Sequence, residues 1–221
     1  MGNIHSNIKP TGLIKKDLVD ALYMIVKAIE TLCTKLDADG TAATTTHLAL
    51  CYTAIFNVVI EDSKGNRVGQ GIAETSTIEP THIISPGNVT DAALNALMYQ
   101  ITLSLETLSE QLDTDALTLN TYESVGYTPI MTQRIENSKG NLVGAGTDFT
   151  FKPGGMFQQK QLVDFLYNCF FSIYTLTYAG TTVGCDSDGT LTDVDYCDLC
   201  YTAICTLMIE NSKGSQIGVS R

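Results

Sequence analysis

The chain has no tryptophan and only three histidines among its 221 residues. His5, His47 and His82 do not recur in any shared pattern, so nothing marks a Ser-His-Asp or Cys-His catalytic site. No run of about 18 apolar residues is present, which argues against a membrane-spanning helix. Basic residues are scarce: 13 Lys and Arg stand against 24 Asp and Glu, a net charge of −11 with no basic tract. Such a surface repels phosphate backbones and argues against sequence-independent nucleic-acid binding. Met1 to Pro10 is polar and lacks a signal-peptide core, so the chain is expected to stay where it is made. No Gly-x4-Gly-Lys-Ser/Thr phosphate loop occurs.

Seven cysteines are present: Cys33, Cys51, Cys169, Cys185, Cys197, Cys200 and Cys205. The odd count and irregular spacing do not suit a secreted disulfide scaffold. They are expected to be reduced thiols, several of them in the core. Cys197-x-x-Cys200 lacks a second such pair, so zinc is the weaker reading.

The dominant positive signal is internal repetition. Tyr-Thr-x-Ile followed by Ile-Glu-x-Ser-Lys-Gly occurs at Tyr52–Ile55 and Ile60–Gly65, at Tyr127–Ile130 and Ile135–Gly140, and at Tyr201–Ile204 and Ile209–Gly214. A Val-Gly or Ile-Gly pair follows each: Val68–Gly69, Val143–Gly144 and Ile217–Gly218. Each motif is preceded by an amphipathic stripe spaced alternately 4 and 3. The first is Leu18, Leu22, Ile25, Ile29, Leu32 and Leu36. The second is Leu94, Met98, Ile101, Leu105, Leu108 and Leu112, and the third Leu162, Leu166, Cys169, Ile173 and Leu176. That spacing lines one face of a helix. Pro10–Gly12, Pro86–Gly87 and Pro153–Gly154 open the three helices.

The expected organisation is three tandem units over 10–71, 86–146 and 153–218, packed together. Ile72–Ser85 and Thr147–Lys152 read as linkers, and the third unit has an insertion of about five residues around Thr177–Gly184. The fold class is α+β: a long amphipathic helix, an acidic turn and a β-hairpin per unit. The alternative is all-α, with three helical hairpins. Pro129 and Gly140 suit a second helix. Val58, Val59 and Ile60 with the Asn-Ser-Lys-Gly turn favour the hairpin.

The acidic turns, Leu36–Gly40, Leu112–Asp115 and Cys185–Gly189, raise the question of calcium. Asp186, Asp188, Asp193 and Asp195 are the best candidate ligands. The EF-hand pattern requires an acid where Gly184 stands, so a turn with capping aspartates is the preferred reading. No cofactor is expected. Phe170, Phe171 and Tyr174 lie off the main stripe of the third helix and read as a wider core or a subunit interface.

Thr34-Lys35-Leu36-Asp37-Ala38-Asp39-Gly40 and Asp186 to Tyr196 resemble a Lys-Leu-Asp-Ala-Asp … Val-Thr-Asp-x-Asp-Tyr element of small proteins encoded by tailed bacteriophages. The resemblance covers about a dozen residues per unit, and the second unit departs from it after Asp115. It implies a virion structural protein, capsid-associated or at the head–tail connection, made in the host bacterial cytoplasm. The expected partners are other virion proteins and copies of itself. The expectation is a non-enzyme, because a motif held at fixed spacing in all three units marks a fold, whereas catalysis needs unlike groups converging once. The alternative is a host-recognition or adhesin-type binding module.

Overall fold

The computed structural model describes residues 7–39, 46–69, 83–115, 122–147, 149–177 and 196–218. The chain is α+β, and one order of elements occurs three times. A short leading strand comes first: β1 (Asn7–Ile8), β4 (Ile83–Ile84) or β7 (Phe149–Phe151). A long helix follows: α1 (Lys15–Asp39), α2 (Asp91–Asp115) or α3 (Gln159–Thr177). Then comes a single π-helical turn, at Leu48–Thr53, Glu123–Tyr127 or Cys197–Thr202. A hairpin completes the set: β2 (Val59–Glu61) with β3 (Arg67–Val68), β5 (Gln133–Glu136) with β6 (Leu142–Val143), and β8 (Met208–Glu210) with β9 (Gln216–Ile217).

The helices form where the stripes place them. Every stripe residue, from Leu18 to Leu36, Leu94 to Leu112 and Leu162 to Leu176, is buried. The three helices touch one another pairwise around a single core. Each fully buried Leu or Ile contributes roughly 1.5–3 kcal/mol.

The hairpins agree with the strand alternative, and the all-α alternative is overturned. The Tyr-Thr-x-Ile motif belongs to neither. Its Tyr and Thr close the π-helical turn, whose wider bonds run from Ala54 N to Ala49 O (3.0 Å), Thr128 N to Glu123 O (2.8 Å) and Ala203 N to Asp198 O (2.9 Å). Ile-Glu-x-Ser-Lys-Gly is the hairpin itself. Asp62, Asn137 and Asn211 each accept two turn amides on one side-chain oxygen, at 2.8–3.0 Å. The turn then ends on Gly65, Gly140 or Gly214 with φ between +82° and +85°.

The segments expected to be linkers carry strands. β4 runs parallel to β2 of the first unit, and β7 runs parallel to β5 of the second. β1 runs parallel to β8 of the third. Each unit thus lends a strand to the hairpin of another, and the loan closes on itself: second to first, third to second, first to third. The side chains that anchor it are buried: Ile8 beside Ile209, Ile84 beside Ile60, and Phe151 beside Ile135.

Candidate functional site

The residues singled out from the sequence fall in different places. Asp186, Asp188, Asp193 and Asp195 lie outside the described residues, as do Cys185, His5 and His82. The first two acidic turns are not separate turns. Asp37 and Asp113 sit in the last turn of α1 and α2. The Asp37 carboxylate accepts the His47 amide at 2.6 Å and the Leu48 amide at 3.1 Å. Asp113 accepts the Tyr122 and Glu123 amides in the same way, the second at 3.0 Å. A carboxylate at a helix C-terminus opposes the helix dipole. Here it is held by the unpaired amides that open the next turn, which is the capping role expected of these aspartates.

Cys33, Cys51, Cys169, Cys200 and Cys205 are buried free thiols, and Cys197 is half-buried. A hydrogen bond with Cys51, and then burial, push the Cys33 thiol up; burial does the same at Cys169. Among the described residues no three His, Cys, Asp or Glu side chains converge as metal ligands. No helix among those residues is long and apolar enough to cross a membrane.

Phe170 is fully buried in the chain's own core, edge-on to Tyr201 at 6.5 Å. Tyr174 packs on the same ring at 5.1 Å. Phe170 therefore follows the wider-core alternative and not the interface one, while Tyr174 is half-buried and Phe171 is 37% exposed.

The seams between units are built from equivalent residues. Ser104 of α2 donates to the Cys51 carbonyl in the first π-helical turn, and Ser172 of α3 donates to the Gly126 carbonyl in the second, at 2.6 Å. The matching position in α1, the helix that packs on the third turn, is Ala28, which has no hydroxyl. Next to each serine bond is a second contact. Gln100 pairs both ways with Asn57, Asn168 donates to Thr132 at 3.3 Å, and Met24 receives the Thr206 hydroxyl at 4.0 Å.

One seam differs from the other two. Between β5 and α3, capped by the tip of the third hairpin, lies a cleft of about 450 Å³. Val58 and Leu207 are apolar at the position where this seam has Gln133. Gln133 is only 6% exposed and accepts the Asn168 side-chain amide at 2.8 Å. Its own amide N–H groups have no hydrogen-bond partner among the described residues. That amide nitrogen is not sealed from solvent, and it opens on the cleft. Tyr167 and Phe171 line the same cleft with ring centroids 6.0 Å apart. Copy-against-copy comparison at Gln133 was the signal in the sequence that pointed here, and motif reading passes over it.

No family model, curated protein or solved structure matches the chain.

Proposed function

We propose that the chain is a non-enzymatic structural protein of a tailed-bacteriophage particle, capsid-associated or at the head–tail connection. It acts by protein–protein assembly, on other virion proteins and on copies of itself. The observation that carries this reading is the closed loan of strands, by which one chain presents three like faces. A molecule of that kind suits a symmetric or quasi-symmetric lattice, where one contact is made repeatedly.

The outer surface of the π-helical turns supports the reading. Leu50, Val125 and Leu199 stand two residues before Tyr52, Tyr127 and Tyr201, and they are exposed by 48%, 37% and 43%. Three aliphatic side chains at one repeated position give the same small apolar contact to three neighbours. The phage setting rests on the resemblance of the Thr34–Gly40 and Asp186–Tyr196 segments.

Mass spectrometry of purified particles from the phage that encodes the chain tests the proposal. The chain is expected at a fixed copy number per particle. Complete absence from purified particles removes the reading. Replacing Leu50, Val125 and Leu199 together by Asp is expected to give a folded chain that no longer incorporates.

A further inference from the structure

We propose that the cleft between β5 and α3 is a binding site for a neutral saccharide, recognised as a hydroxyl-bearing pyranose stacked on aromatic rings. The inference goes beyond an assembly role and does not depend on it.

The argument starts from broken symmetry. Two seams of the molecule carry Asn57, Val58 and Gln100 at one and Thr206, Leu207 and Met24 at another. The remaining seam has Thr132, Gln133 and Asn168. Asn168 uses its N–H donors on Thr132 and Gln133, which leaves its oxygen without a donor from the described residues. Gln133 uses its oxygen and keeps its N–H groups. An amide donor open to solvent and a nearby amide acceptor therefore line one cleft. Leucine serves the fold at the equivalent place, so Gln133 is not needed for packing. Local rules of burial are broken at functional sites more than elsewhere.

The chemistry of the lining selects the ligand. A sugar hydroxyl both donates and accepts, and so satisfies an amide N–H and an amide oxygen together. The C–H face of a pyranose is apolar and packs on a ring, as Tyr167 and Phe171 provide. A volume of about 450 Å³ suits one to three sugar units. Charge does not select the ligand, since Lys160 and Lys213 stand against Asp164 alone and both Asp164 oxygens are held by Ser212; the amide pair and the two rings do. The cations present, Lys160 and Lys213, come from the first turn of α3 and from the hairpin tip.

The full chain, applied to a glycan microarray, is expected to retain at least one neutral hexose-containing glycan. Isothermal titration with that glycan then compares variants. Gln133→Leu and Asn168→Met copy the residues of another seam and are expected to fold. Each is expected to weaken binding at least tenfold, as is Tyr167→Ala. Without glycan, Gln133→Leu is expected to remain folded with a cooperative thermal transition, as leucine stands at the matching position of the third unit. Retention of no neutral glycan, retention of anionic glycans only, or undiminished binding by a folded Gln133→Leu would each overturn the proposal. Particle mass spectrometry and glycan retention fail independently, so a negative result in one leaves the other reading in place.

Discussion

The hydroxyl of Tyr52 accepts the amide of Gly69 at 2.9 Å, tying the π-helical turn of the first unit to the end of its own hairpin. Tyr127 and Tyr201 lie near Gly144 and Gly218 at the matching positions, but the Tyr127 hydroxyl makes no hydrogen bond among the described residues. Burial is the main cause that holds all three phenols well above their ordinary range, so they stay protonated; at Tyr52 and Tyr127 the charges of Glu30 and Glu106 add to it. The glycine is required at its end of the contact. Gly69 has φ +99°, and a Cβ there would meet the Val58 carbonyl oxygen at 2.2 Å. Gly69→Ala is therefore expected to cost about 2–4 kcal/mol, through strain and clash together. Tyr52→Phe is expected to cost about 1 kcal/mol, the typical worth of one hydrogen bond. Urea denaturation of both variants reads the order, and a larger loss for Tyr52→Phe would contradict it.

The serine clamps predict an asymmetric pair of results. Ser172→Ala removes a buried bond to the Gly126 carbonyl and is expected to destabilise by about 1–2 kcal/mol. Ala28→Ser places a hydroxyl where the third π-helical turn lacks one, and is expected to be neutral or stabilising by up to about 1 kcal/mol. Denaturant midpoints measured in one buffer compare the two. A loss for Ala28→Ser as large as that for Ser172→Ala would mean that Ala28 does not face the third turn as the other two seams suggest.

A second missing contact gives an engineering test. Asp20 holds the Ser63 amide and hydroxyl at 2.7 and 2.8 Å, and Asp164 holds those of Ser212, both at 2.7 Å. The equivalent residue in α2 is Ala96, so Ser138 has no such carboxylate. Ala96→Asp is expected to raise the melting temperature by a few degrees, on the order of 1 kcal/mol, and Asp20→Ala to lower it similarly. Calorimetry of the two variants decides this, and a lower melting temperature for Ala96→Asp would count against the equivalence of the units.

Glu106 gives a pH dependence with a definite sign. Burial raises its carboxyl above the ordinary value of 4.5, against the lowering effect of the nearby Tyr127 hydroxyl, and the charges of Glu110 and Glu123 raise it further. The folded state thus binds this proton more tightly than the unfolded state. Its stabilising effect is full below the unfolded value and is lost as pH rises through the folded one. Glu106→Gln is therefore expected to stabilise the protein at neutral pH, with the advantage shrinking on acidification toward and below the ordinary glutamate range. Melting curves from pH 4 to pH 8, set against wild type, test it; an advantage that grows toward low pH would refute the assignment.

The three helices were legible in the sequence because one helical face carries a long, regular stripe from Leu18 to Leu36 and its counterparts. The hairpin turn was legible because Ser-Lys-Gly follows an Asp or Asn whose side chain fixes the turn locally. The π-helical turns were not, because five or six residues are too few to show a period. The leading strands were hidden for another reason. Ile83–Ile84 and Phe149–Phe151 are only two and three residues long, and their partners are set by tertiary pairing. Phe170 stayed open between core and interface because helical spacing gives a direction and cannot tell that Tyr201 covers it. Gln133 has no motif around it and becomes visible only beside Val58 and Leu207.

Two of the lent strands meet their hosts soon after synthesis, since Val59 waits for Ile83 and Gln133 for Phe149. Asn7 and Ile8 leave the ribosome first, yet their places beside Met208 and Ile209 do not exist until nearly the whole chain has been translated. A nascent chain halted before the third hairpin should therefore hold an unmated first strand, and locking of the ring should wait for that hairpin.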